Sequence, residues 1–220
     1  MADRMPVERS SSEGGLIRPP SLVLASRSPR RVELLSRLGL EFLAVPADID
    51  EAYLDGETPA VHTIRLASEK AATVARDYPD ALVIGSDTIV VLDQEVLGKP
   101  RNEADALRML SALSGRTHEV LTGVAVVSRG ELFPAVERVS VRFRAVDREF
   151  CEQYISTGEP MDKAGAYGIQ GLGSVLVESI SGDYFAVMGL PVVRTLALLE
   201  RAGWRYNFAG LTALPEVPCS

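Results

Sequence analysis

Short apolar runs alternate with helically spaced apolar residues along most of the chain. Residues 21–25 (SLVLA) predict a buried strand. A helix is expected to follow through Leu38, with Ser28 at its N-cap, Pro29 at its first position and Gly39 as its stop. Val32, Leu35 and Leu38 are its expected buried side, and residues 41–45 predict another strand. Past an acidic loop, Thr58 and Pro59 open a long helix ending near Tyr78. Val61, Ile64, Ala67, Ala71, Val74 and Tyr78 share one side of it. Residues 81–85 read as a strand and residues 88–92 as its continuation or a second strand. Asp93 and Gln94 mark a turn before residues 95–97, and Asn102 caps a helix to Leu113 that closes at Ser114 and Gly115.

The texture then changes. Residues 117–127 and 131–145 are strand-like and joined at residues 128–130. In the second, Val139, Val141, Phe143 and Ala145 alternate with Arg138, Ser140, Arg142 and Arg144, a pattern with one dry and one wet face. Asp147 starts a helix that stops at Gly158, and a glycine-dense loop spans residues 165–173. A strand (175–180), a turn (181–183) and a final helix (191–202) stopped by Gly203 complete the pattern. The fold class is α/β, a mixed twisted sheet with flanking helices and two lobes around a central cleft. Residues 1–20 read as a flexible arm, 21–203 as the domain and 204–220 as a loosely packed tail in which Tyr206 and Phe208 offer anchors.

Composition narrows the function. With 46% hydrophobic and 24% charged residues, the chain of 220 is an ordinary globular protein rather than a disordered one. No stretch approaches the roughly 20 apolar residues of a membrane span. A net charge of -7 argues against wrapping a nucleic-acid polymer, so a phosphate compound would be met by a local basic cluster. Cys151 and Cys219 make neither a disulfide framework nor a zinc pair. Residues 1–20 lack the apolar core of a signal peptide, and the expected location is the cytoplasm.

Five segments bear candidate chemistry. Ser26 and Ser28 stand at a helix start with Arg27, Arg30 and Arg31, which reads either as a triphosphate clamp or as a capped helix with solvated arginines. Asp87, expected at the carboxyl end of a strand, would orient water as a general base or hold a divalent ion; otherwise it is an aspartate in a tight turn. Lys99 and Arg101 flank a rigid proline, which suits a phosphate contact or a plain surface pair. The acidic loop around Glu51 is either solvated or, with Asp87, a ligand set for Mg²⁺ or Mn²⁺ completed by substrate phosphates. Gln170, within the glycine-dense loop, offers the donor and acceptor needed to read a base edge. Two histidines, His62 and His118, are too few for a histidine-rich zinc site, and Cys151 reads as an inert core thiol.

Taken in order, LASRSPRR (24–31), GSDTIV (85–90), LGKPRN (97–102), LSGRTHEVLTGV (113–124) and GEPMDKAGAYGIQGLG (158–173) resemble the Maf family of nucleoside triphosphate pyrophosphatases. The resemblance runs from about residue 22 to 199. It implies a two-lobed α/β fold, commonly homodimeric, and hydrolysis between the α and β phosphates to a monophosphate and pyrophosphate. By position it implies that Asp87 is the catalytic acidic residue and that Arg30, Thr88 and Gln170 are linked to substrate choice. Glu51, Lys70, Lys99 and Lys163 fall at other cleft positions. GAYGIQG is similar to the branch acting on dTTP and UTP, whereas a sister branch acting on 7-methyl-GTP lacks it. Arg27 departs from the small residue common in the family. A non-catalytic regulator of septum formation and a nucleotide sensor are the rival readings.

Overall fold

The apolar run at residues 21–25 forms β1 (Leu22–Leu24), buried on both faces as a central parallel strand requires. The structure, a computed structural model, describes residues 21–215. The expected arm, residues 216–220 and Cys219 lie outside the described residues.

β1 leads into α1 (Pro29–Ser36), β2 (Leu43–Ala44), α2 (Pro59–Ala75), β3 (Leu82–Leu92) and β4 (Glu95–Leu97). After α3 (Glu103–Leu113) come β5 (Thr117–Ser128) and β6 (Glu131–Phe143), a long hairpin whose turn places Arg129 and Gly130 at positive φ. α4 (Arg148–Ser156), three 3₁₀ turns between Glu159 and Leu176, β7 (Val177–Ser181), α5 (Tyr184–Met188) and α6 (Val192–Arg201) follow. The sheet runs β2-β1-β3-β5-β6-β7, with β4 beside β3; β2, β1 and β3 are parallel and the remaining pairs antiparallel. This is the mixed α/β architecture expected. Among the described residues, no helix is long and apolar enough to cross a membrane.

Two features of the sheet create the site. β1 pairs with β3 only as far as Ile84, and β4 takes up the same edge at Val90, so the intervening stretch of β3 has no ladder partner there. The core also divides along the long strands. Leu24, Ile84, Val124 and Val126 pack under α1 and α6, while Val90, Val139, Val141 and Phe143 pack under α3 and α4. On that face Ser86 and Thr88 lie between these two clusters, and Asp87, between them in sequence, points to the other face toward α2.

α2 lies almost in contact with the sheet because two strand positions are glycine. A Cβ on Gly85 would come within 2.2 Å of the Ala67 carbonyl, and one on Gly123 within 2.2 Å of the Thr63 carbonyl. Both obstacles are helix backbone, which cannot rotate aside.

Several local expectations change in three dimensions. Of the side expected for α2, Ala67, Ala71 and Val74 are buried, but Val61 is 55% exposed and His62, Thr63, Leu66 and Lys70 are buried as well, so the covered face is shifted toward them. α1 buries Leu34 and Leu35 and leaves Val32 and Leu38 only partly covered. Ala145 lies past the end of β6 and is exposed. Residues 204–213 are no loose tail: β8 (Trp204–Tyr206) and β9 (Leu211–Ala213) form a hairpin with Trp204 and Leu211 in the core. Tyr206 anchors it by donating to the Leu38 carbonyl at 2.7 Å, whereas Phe208 is solvent-facing. α5 was not anticipated; Asp183 caps it by accepting from Phe185 N–H.

Candidate active site

Asp87 sits in the middle of a continuous eleven-residue strand, not at a strand end or in a turn as expected. The neighbouring parallel strand β1 ends its pairing at Ile84, short of Asp87, so the strand end expected near this residue belongs to β1. Side chains alternate along β3, so Gly85, Asp87 and Ile89 face α2 while Ser86 and Thr88 face the opposite side, toward Gly189 and Arg31. The site therefore has two halves, one on each face.

On the α2 half, Lys70 Nζ donates to Asp87 Oδ1 at 2.7 Å and contacts Glu51 Oε1 at 2.6 Å. Asp87 and Lys70 are each about one-tenth exposed. Glu51 is brought in from the acidic loop, which is fastened to α2. Glu57 accepts from Arg65 Nε at 2.7 Å and lies 2.9 Å from His62 Nδ1, Arg65 donates to the Ala52 carbonyl, and Tyr53 stacks on His62. The Arg65 hydrogen bond holds the Glu57 carboxyl down at about 2, against the cost of its burial.

On the opposite half, Arg31 is bound entirely by neutral acceptors. Its guanidinium donates to the Gly189 carbonyl at 2.8 Å, to Thr88 Oγ1 at 3.2 Å and to Ser26 Oγ at 3.3 Å. Burial pushes its pKa below the usual arginine value; Asp87 pulls it back up, Arg30 adds to the depression and Glu51 opposes it. Thr88 is itself placed by Thr122 Oγ1 at 3.1 Å, which donates to the Ala186 carbonyl. No carboxylate among the described residues pairs with Arg31, and a half-buried cation with only dipoles around it suits an anion.

Arg30 is paired only loosely, with Asp162 at 3.6 Å. Lys163 is held by Asp162 Oδ1 at 2.6 Å and by the Glu159 carbonyl at 2.5 Å. Lys99 is exposed, has no ion-pair partner among the described residues, and follows β4 along the open edge of β3. Gln170 is exposed at the crest of its loop. Ser28 does not cap α1 with its side chain; its N–H instead donates to Ser26 Oγ, so Ser26 carries the local geometry.

The two carboxylates suit a hard cation. Both belong to oxygen donors of the class that Mg²⁺ or Mn²⁺ takes, and the second oxygen of each, Asp87 Oδ2 and Glu51 Oε2, accepts no hydrogen bond among the described residues. No group of three histidine, cysteine or acidic side chains gathers there among those residues. Two carboxylates completed by substrate oxygens is the usual arrangement for Mg²⁺.

Sequence reasoning missed the residues that brace these groups: Glu57 and Arg65 behind Glu51, Thr122 and Gly189 behind Thr88 and Arg31, and Glu159 behind Gln170. Glu159 stood in a quoted segment, but its partners lie 13 and 14 residues on, beyond any local spacing rule.

Residues 21–202 match the family described as Maf-like protein. The dTTP/UTP pyrophosphatase of Symbiobacterium thermophilum is 52% identical over 83% of this chain and 94% of that protein. That of Moorella thermoacetica is 54% identical over 83% and 95%. Among solved structures, the Ham1 protein of Staphylococcus aureus overlaps 56% of this chain and 71% of its own at 14% identity and a TM-score of 0.41.

Proposed function

The chain belongs to the Maf-like family, and on that premise we propose that it hydrolyses nucleoside triphosphates, dTTP and UTP foremost, to the monophosphate and pyrophosphate. The observation carrying this reading is the pairing across β3 of an anchored carboxylate, Asp87, with a half-buried guanidinium, Arg31, that has only neutral partners. A hydrolase of phosphoanhydrides needs both: an acceptor for a proton from water, and cations for the charge that develops on the leaving group.

Lys70 fixes one Asp87 oxygen, leaving the other to orient water toward the α phosphorus. Arg31 and Lys99 receive the departing pyrophosphate, joined by Arg30 once it exchanges Asp162 for phosphate. Ser26 and Thr88 keep Arg31 pointed at the opening. Glu51 and Asp87 would hold Mg²⁺ or Mn²⁺ with the substrate phosphates, and the ion would supply charge neutralisation. Gln170 and Thr88 read the pyrimidine edge. One methyl in an apolar pocket changes specificity only about 10–200-fold, so uracil and thymine are both accepted, whereas a mismatched hydrogen-bonding edge rejects purines by roughly 10⁴-fold.

The enzyme is expected to act in the cytoplasm, where nucleotide pools lie, as the homodimer that the family resemblance implies; sedimentation as a monomer would remove the latter. A non-catalytic regulator has no use for a water-facing carboxylate oxygen, and that reading is not favoured. Pyrophosphate release from UTP, dTTP, CTP, ATP and GTP, each with Mg²⁺ and with EDTA, tests the whole. Turnover of the pyrimidine nucleotides that EDTA abolishes is expected. Preference for ATP or GTP, or undiminished turnover in EDTA, would overturn the substrate or the metal assignment respectively.

A further inference from the structure

The glycine-dense loop carrying Gln170 buries Tyr167 and Ile169 ahead of that residue, but Gly171 and Gly173 beyond it have no side chain and Leu172 is exposed. Around Gln170 the shape of the loop is set from outside. Glu159 Oε2 accepts from Leu172 N–H at 2.8 Å, and Oε1 accepts from Gly173 N–H at 3.0 Å and from the Tyr154 hydroxyl at 2.9 Å. Tyr154 in turn accepts from Gly168 N–H at 3.1 Å. One carboxylate and one phenol thus grip the loop on both sides of Gln170. The fit leaves no slack: a Cβ on Gly171 would lie 2.3 Å from Glu159 Oε2, and one on Gly173 2.4 Å from the Tyr154 oxygen. The front of the loop is pinned separately, by Gly165 N–H to the Gly98 carbonyl and by Tyr167 to His118 Nε2 at 2.9 Å.

The geometry points to Glu159, backed by Tyr154, as the positioning residue that sets Gln170 for discrimination between nucleobases. It does not touch the substrate; it acts through the loop backbone. Three donors converge on this side chain, so only a group that accepts at both ends satisfies them. Glutamine in its place would turn an amide N–H₂ against one of those donors, and the loop would have to shift to relieve it.

This inference rests on Gln170 reading the base, and the test separates the two. Steady-state kinetics with Mg²⁺ on UTP and ATP would compare the full chain with Glu159→Gln, Tyr154→Phe, Gln170→Ala and the Glu159→Gln/Gln170→Ala pair. The ratio of kcat/KM for UTP over ATP is expected to fall about tenfold or more in Glu159→Gln, and by a smaller factor in Tyr154→Phe. The double variant should discriminate no worse than Gln170→Ala alone, because both act through one element. A ratio lost in Gln170→Ala but intact in both Glu159→Gln and Tyr154→Phe overturns the positioning role and leaves base reading in place. A ratio intact in Gln170→Ala overturns base reading itself. Equal losses on UTP and ATP with a lowered Tm would make Glu159 a structural brace only. Should Glu159→Gln fail to fold, the same ratio in Tyr154→Phe decides.

Discussion

On the α2 side of β3, Asp87 reaches a lysine and through it a second carboxylate; on the α1 side, one residue further, Thr88 reaches an arginine surrounded by hydroxyls and a carbonyl. Consecutive residues of a strand point to opposite faces, and the separation has a chemical consequence. Had Asp87 and Arg31 shared a face, they would have closed on one another as a buried ion pair, and neither would have remained available. Held apart by the strand's own backbone, one stays an acceptor facing water and the other a cation awaiting an anion. The acidic half is itself charged on both sides of a lysine, while the cationic half is neutral except for the arginines. The proposed function gives the chemistry to the first and phosphate binding to the second.

The sharpest way to break this division is Asp87→Asn. The amide keeps the shape and a contact for Lys70 but cannot take a proton. The expected loss in kcat is about 10²–10⁴-fold, the worth of a positioned acid–base group, with KM and Tm near those of the unaltered chain. A large rise in KM with kcat preserved would erase the distinction between the halves. Gly123→Ala attacks the α2 half alone, through packing. The new methyl meets the Thr63 carbonyl at 2.2 Å, so α2 must lift and take Lys70 with it. A destabilisation of about 1–3 kcal/mol in denaturant unfolding is expected, accompanied by lower kcat.

Arg31→Lys probes the other half. An ammonium cannot span Gly189, Thr88 and Ser26 at once. KM for UTP should rise about tenfold, the worth of one charge-assisted hydrogen bond, with a smaller change in kcat. The mildest effect concerns the brace of the acidic half. Glu57 is held near 2 in the fold against an ordinary value of 4.5. A depressed carboxyl contributes stability that is complete above 4.5 and is lost as pH falls toward about 2. Tm measured across that window should fall less steeply in Glu57→Gln than in the unaltered chain; parallel curves would show that Glu57 does not brace the loop.

Much of this architecture was legible along the chain, because its elements announce themselves locally. Asn102 and Asp147 cap their helices as expected, accepting from Asp105 and Phe150 N–H, since capping is decided within four residues. The alternation of Val139, Val141 and Phe143 against arginines placed β6 correctly. Errors fell where burial overrode local pattern. Lys70 sits on the buried face of α2, while Val61 does not, because a partner carboxylate on β3 compensates the lysine and no spacing rule reveals it. The hairpin at residues 204–213 was likewise invisible until Trp204 and Leu211 had a core to enter.

The candidate residues follow a similar rule. Asp87, Arg31, Lys99 and Gln170 were candidates from segments whose composition carries chemistry, and Thr88 from the family resemblance. The halves to which they belong were not, nor were Glu57, Thr122 and Glu159, which hold other residues in place. By itself the chain determined its elements, its mixed sheet and the kinds of group it can bring to phosphate. Tertiary structure alone decided which of those groups face each other, because a strand's alternation and a helix laid on two glycines join residues far apart in sequence at the scale of single hydrogen bonds.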